Sequence, residues 1–272
     1  MREFKFNIDR INIENINVFS ELEFFINSCE DYDNVLINLE NIKFFNSSLC
    51  SIFTSILRKA KEEKYLNIKI CFGTNQPIKK VFDTNGFFNE DKSDYINNAK
   101  DLNDTYIIVK KFRKNDDYIF LDYARFSLKN RHFSNNVLTL LFRQLAEIFN
   151  NFQDHTDSKY FHVAGQFFPR KNKINICLTD KGIGIANLVA KYKKIENQHE
   201  AVKWTFDGNN TTRKNCGGLG LKNLKIFIEK NNGKLIIYCN KIYYDVLDDN
   251  YYLFDKEFLG TSIFIELPLD MV

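Results

Sequence analysis

Residues 174–185 read INICLTDKGIGI. Ile174, Ile176 and Leu178 alternate with polar or small residues, the period of a strand with one buried face. The run ends at Asp180. The D-x-G-x-G that begins there holds turn formers, with Gly182 and Gly184 supplying backbone angles that other residues reach only at a cost. By itself this marks a strand and a tight turn. Whether it also marks a nucleotide pocket depends on the segments around it.

Upstream, residues 134–153 carry the strongest helical pattern in the chain. Ser134 is a suitable N-cap, and Leu138, Leu141, Leu145, Ile148 and Phe152 recur three or four residues apart as an apolar stripe. Glu147, Asn151 and His155 fall on a neighbouring stripe, each about one turn beyond the last. A helix that packs on a core therefore also displays a carboxylate, an amide and an imidazole in a row.

Downstream, Ala186 to Cys216 is long and polar and is expected to be a functional loop, with one amphipathic stretch around Ala201–Phe206. It leads into CGGLGLKNLKIFIEKNNGK. Gly217, Gly218 and Gly220 open a helix whose apolar face is Leu221, Leu224, Phe227 and Ile228, and Gly233 is the expected stop. Backbone N–H groups at a helix start, clear of side chains, suit an anion. Leu235–Cys239 and Thr261–Leu267 read as the last strands. G-x-x-x-x-G-K-[ST] does not occur, and G-G-L-G-L lacks the dinucleotide-binding spacing.

The first hundred residues follow another order. Val35–Leu39 is a strand, Asn46-Ser47-Ser48 offer caps, and Leu49, Ile52, Phe53, Ile56, Leu57 and Ala60 recur at helical spacing. Ile68–Phe72 is the next strand, and Pro77 and Gly86 frame a second helix. This βαβα order predicts an α/β sheet domain. Residues 89–104 are polar and acidic and read as a linker between a domain at 1–100 and another at 101–272. Strands are expected near Tyr106–Val109 and Tyr118–Leu121.

Composition narrows the functional class. Formal net charge is +3 over 272 residues, with the two signs interspersed, the pattern of a solvated surface and not of a nucleic-acid footprint. The run Lys110, Lys111, Arg113, Lys114 is too short for a basic patch and reads as an exposed turn. Six cysteines include no C-x-x-C pair and no zinc spacing. Cys50, Cys71 and Cys177 lie in apolar runs, and a reducing, cytoplasmic compartment is expected. The N-terminal MREFKFNIDRINIEN has no apolar stretch behind its charges, so neither a signal peptide nor a membrane span is expected.

The order E-x-x-x-N-x-x-x-H, D-x-G-x-G, G-G-L-G-L and G-T-S-I-F-I-E-L-P resembles the N, G1 and G2 boxes and the closing Gly-Thr strand of the GHKL superfamily. That superfamily is the ATP-binding domain of gyrase, Hsp90, MutL and histidine kinases. The resemblance covers roughly residues 134–268 and implies a Bergerat-type α/β sandwich that binds ATP with Mg²⁺. On it, Asn151 ligates Mg²⁺ through a hard amide oxygen. Glu147 serves as catalytic base, towards water in hydrolytic members or another acceptor in kinases; a solvated surface glutamate is the plain alternative. His155 either lies near the phosphates or caps the helix C-terminus. Asp180 accepts a hydrogen bond from the exocyclic amine of adenine, which favours adenine over guanine. Gly182 and Gly184 leave room for the base, and Thr261 joins the same network or is a plain strand residue. Gly218, Leu219, Gly220 and Leu221 hold the phosphates. The segment Ala186–Cys216 is the ATP lid, with Thr211, Thr212 and Arg213 either touching the γ-phosphate or shaping a turn.

Residues 35–88 resemble a STAS domain, with F-F-N-S-S at the helix start and N-G-F at the end. Asn46 stands where that family has aspartate, Ser47 stands at its phosphorylatable serine, and Leu49 replaces its glycine. The expected protein is a regulatory ATP switch with slow hydrolysis, acting on a protein partner. The alternatives are a serine kinase of the anti-sigma-factor type acting on a STAS serine, Ser47 included, or a scaffold with a decayed site. Both families often dimerise, so a homodimer is also an expected assembly.

Overall fold

The computed structural model describes residues 1–89, 105–129, 133–207 and 220–269. The chain is a mixed α/β protein. Its first segment begins with β1 (Arg2–Lys5) and the short β2 (Arg10–Ile11), followed by α1 (Val18–Asn27). Next come β3 (Asn34–Asn38), β4 (Phe44–Phe45), a 3-10 turn at Ser47–Leu49, α2 (Cys50–Glu63), β5 (Asn67–Cys71) and α3 (Gln76–Thr84). Strands β1, β3 and β5 form a parallel sheet in that order, and β2 pairs with β4. The expected cap at Asn46 is present, its Oδ1 accepting from Ser48 N at 3.1 Å; Pro77 lies in the first turn of α3 as expected, behind an Asn75 cap whose Oδ1 accepts from Ile78 N at 3.4 Å. Gly86 adopts φ +79° after α3, a left-handed stop that suits glycine.

Helix α2 is buried at every position from Cys50 to Leu57. A helix buried all round has a layer on each side. One layer is its own parallel sheet; the other is the second segment.

That second segment contains β6 (Tyr106–Phe112), α4 (Asp117–Leu128), α5 (Asn135–His155), β7 (Phe161–Phe168), β8 (Lys173–Asp180) and α6 (Ile185–Lys193). It continues with α7 (Gln198–Trp204), α8 (Gly220–Lys230), β9 (Lys234–Asp245) and β10 (Asn250–Pro268). The strands build one antiparallel sheet in the order β6-β7-β8-β10-β9. Alternation along β8 sends Ile174, Ile176 and Leu178 into the core beneath α4, α5 and α8, while Cys177 joins the core shared with the first segment. The helix-side core is aromatic: Phe120 stacks on Phe149 at 4.7 Å, and Phe152 on Phe161 at 5.0 Å.

Three expectations are corrected, and one strand lies where none was expected. Residues Tyr118–Leu121 are helical, not a strand. In this run Phe120 is buried while Tyr118 is 85% and Ile119 51% exposed, and Phe120, Tyr123, Ala124 and Leu128 continue one helical face. The segment after Gly184 is not a loop as far as Asp207: α6 and α7 occupy most of it, burying Ala186, Val189, Ala201 and Val202. Helix α8 turns out through Asn232 at φ +50° and not through Gly233. Strand β7 (FHVAGQFF) had no expected counterpart; it is buried over its first five residues, so its two-sided burial hides the alternation that marks a half-exposed strand.

Candidate functional site

Helix α5 positions the first group. Ser134 Oγ accepts from Val137 N at 3.4 Å and starts it, and Leu141, Leu145, Ile148, Phe149 and Phe152 bury one face. This leaves Glu147 exposed and Asn151 half-buried on the flank. Among the described residues neither side chain makes a hydrogen bond or ion pair. The flank meets the first turn of α8. A Cβ built on Gly220 would lie 3.1 Å from Glu147 Oε2 and 3.7 Å from Asn151 Nδ2. Gly220 thus lets a helix N-terminus approach a carboxylate and an amide. Leu221 packs partly buried on the helix-side core. Thr211, Thr212, Arg213, Gly218 and Leu219 lie outside the described residues.

The second group forms where β8 ends. Asp180 is paired on both sides, with Phe161 of β7 and Thr261 of β10. Its Oδ1 accepts from Thr156 Oγ1 at 2.9 Å and from Gly182 N at 2.8 Å. Among the described residues Oδ2 accepts no hydrogen bond. Burial pushes the Asp180 carboxyl up to about 6, against the lowering effect of these two donors. Thr156 directly follows His155, which sits in the last turn of α5, where a basic group suits the helix dipole. The hydroxyl bond to Asp180 therefore ties the end of α5 to the end of β8. Asn151 lies five residues before Thr156, roughly 7 Å of helical rise. Glu147 and Asn151 thus flank Gly220, and the helix that carries them ends at Thr156, which reaches Asp180.

The glycines of D-x-G-x-G are required by protein contacts. A Cβ at Gly182 would stand 2.0 Å from Thr156 Oγ1 and 2.7 Å from Asp157 Oδ1. At Gly184, φ is +86° and a Cβ would stand 2.3 Å from Asn240 Oδ1. Thr261 Oγ1 accepts from Ile185 N at 3.0 Å, so its hydroxyl caps the first turn of α6.

Several participating residues had no expected role. Asp157 Oδ1 accepts from Ile183 N at 3.0 Å, and Ser158 Oγ from Lys181 N at 3.2 Å. Buried Asn240 accepts from Asn187 N at 3.2 Å and donates to Ile183 O at 2.9 Å. The signal for the first pair was present, because T-D-S directly after a helix is strong turn chemistry. Asn240 had none: it sits between strand residues and only the fold brings it to Gly184.

Among the described residues no three His, Cys, Asp or Glu side chains gather as a metal site, and no helix is long and apolar enough to cross a membrane. Compared with models of protein families and with curated protein sequences, the chain matches none.

Proposed function

We propose that this protein binds ATP with Mg²⁺ in a GHKL-type site formed by its second segment, and that it works as an ATP-gated regulatory switch with slow hydrolysis. The observation that carries this reading is Asp180: a carboxylate fixed through one oxygen by Thr156 and Gly182, with the other unpartnered among the described residues. A fixed acceptor of this kind suits the exocyclic amine of adenine, because its geometry is set before the ligand arrives. Thr156 also ties Asp180 to the helix that carries Asn151 and Glu147, as a ligand with a base at one end and phosphates at the other requires.

The groups at the other end fit magnesium and phosphate. The Asn151 amide is uncommitted among the described residues, and an amide oxygen is a hard ligand for a cation that otherwise keeps water and phosphate oxygens. Bound there, the ion would neutralise phosphate charge. Gly220 keeps a side chain out of the space beside Glu147 and Asn151, and backbone N–H groups at such a helix start suit the same anion. Glu147, exposed beside Gly220, is the base that takes a proton from the attacking water as the terminal phosphoryl group leaves the nucleotide. ATP closing over this site would change the contact with a protein partner. The first segment in this reading is STAS-like.

The kinase alternative finds no support in Ser47 as its own acceptor. Ser47 is fully buried; its N–H donates to Gln166 Oε1 at 2.8 Å and its Oγ accepts from Asn85 Nδ2 at 2.9 Å. Incubation with γ-labelled ATP is expected to release free phosphate, and Glu147→Gln to abolish release while ATP binding persists. Label on the protein, or release unchanged by Glu147→Gln, would contradict the assignment.

A further inference from the structure

The residue after Asp180 is held by the first segment. Asp180 and Lys181 are consecutive, so their side chains leave opposite faces of the sheet. The carboxylate turns to the α5 side, and the ammonium turns to α1. There Lys181 Nζ donates to Glu23 Oε1 at 2.8 Å and to Oε2 at 2.7 Å, and sits 3.8 Å from the Phe258 ring centroid. Glu23 is 4% exposed and Lys181 8%. The backbone of Lys181 is also gripped: its carbonyl accepts from Lys59 Nζ of α2 at 3.5 Å, and its N–H reaches Ser158 Oγ. Two of these anchors come from the first segment, and all bear on the peptide that joins Asp180 to Gly182.

A buried ion pair is a poor source of net stability, because desolvation offsets the attraction; its better-attested use is to fix geometry. Burial lowers the Lys181 ammonium to about 8, the mark of that desolvation. The position of this pair, one residue from the proposed adenine-reading carboxylate, gives that geometry a use.

We propose that Glu23 and Lys181 are positioning residues for Asp180, through which the docked first segment sets the base selectivity of the site. This rests on the ATP reading above. Without the Glu23 carboxylate, the Lys181 side chain loses the two-bond anchor that ties it to α1. The turn at residues 181–182 then shifts, and with it the Gly182 N–H that orients the Asp180 carboxylate. Selectivity between a 6-amino and a 6-oxo purine suffers more than affinity for the phosphates, which bind at the α5–α8 end.

The test uses the full chain and two readouts. Calorimetry with Mg·ATP and Mg·GTP gives the selectivity ratio for the wild type, Glu23→Gln and the charge-free double variant Glu23→Leu with Lys181→Met. Hydrogen exchange without nucleotide reports on residues 180–185. The expected result for Glu23→Gln is a fall of about tenfold in the ATP:GTP ratio, equivalent to a single good hydrogen bond, together with faster exchange at 180–185. Should Glu23→Gln fail to fold, the double variant, which buries neither charge, is expected to lower the ratio in the same direction. A ratio unchanged in the folded variants, or faster exchange confined to α1, would overturn the proposal. A wild type that binds neither nucleotide would sink the ATP reading and its selectivity consequence, while coupled exchange at α1 and 180–185 in Glu23→Gln would still establish the mechanical link.

Discussion

The two faces of the antiparallel sheet are covered by different chemistry. Beneath α4, α5 and α8 lie aromatic rings, among them Phe112, Phe120, Phe149, Phe152 and Phe161. Against α1 and α2 the contacts include short polar side chains: the hydroxyls of Ser51 and Thr179 lie 3.1 Å apart, and those of Thr179 and Ser262 3.0 Å apart. The Glu23–Lys181 pair and the Ser47–Gln166 bond add to them, around an apolar core in which Tyr238, Phe258 and Phe264 of the sheet cluster with Phe19 and Phe53. Dispersion and the hydrophobic effect are indifferent to small rotations, whereas hydrogen bonds and ion pairs hold only in one register. The aromatic face thus holds the second segment together, while on the more polar face a shared apolar core attaches the first segment and the polar contacts fix how it sits.

Substitutions can break this contrast, in descending order of effect. Phe149→Ala removes a ring that stacks on Phe120 and touches Phe152 and Phe161. It is expected to cost about 3–5 kcal/mol, read as a lower denaturant midpoint for the whole second segment. On the polar face, Glu23→Gln is expected to cost about 3–5 kcal/mol because it strands a buried ammonium. Glu23→Leu with Lys181→Met is expected to be neutral or stabilising, and a double-mutant cycle by urea melts separates the two. If the double variant is as damaged as the single one, the pair contributes stability and not geometry.

A smaller effect of opposite sign is expected at Asp180. Its carboxyl is raised from 3.8 to about 6, so the folded chain binds this proton more tightly than the unfolded chain does. Stability therefore falls as pH rises through that window. The loss amounts to about 3 kcal/mol at most by neutral pH. Asp180→Asn keeps an acceptor for Thr156 and Gly182, removes the charge and is expected to raise the melting temperature at pH 7 but not at pH 3.5. Smallest is Ser51→Ala, worth about 1 kcal/mol, because Thr179 keeps Ser262 as its partner.

Much of this arrangement was legible in the residues. The α5 stripe, the alternation along β8, the cap at Asn46, Pro77 in the first turn of α3 and the α8 start are local patterns, and local patterns survive in sequence. Tyr118–Leu121 misled because an apolar run of four fits strand or helix, and only the later Tyr123, Ala124 and Leu128 decide it. Helix α6 was hidden behind two glycines and a polar flank. The Thr156–Asp180 bond, the Asn240–Gly184 contact and the Glu23–Lys181 pair join residues 24, 56 and 158 positions apart. Nothing in local composition announces such pairings. A buried lysine inside D-K-G-I-G reads, before folding, as one more surface charge.

The ATP reading requires Asp180 and Asn151 to belong to one site. Titration calorimetry of Mg·ATP into wild type and Asp180→Asn at pH 7.5 tests it most directly. The expected result is one equivalent bound by the wild type and a loss of on the order of 100-fold in the variant, with the variant at least as stable to heat. No heat from the wild type, or equal binding by the two proteins, would contradict the claim.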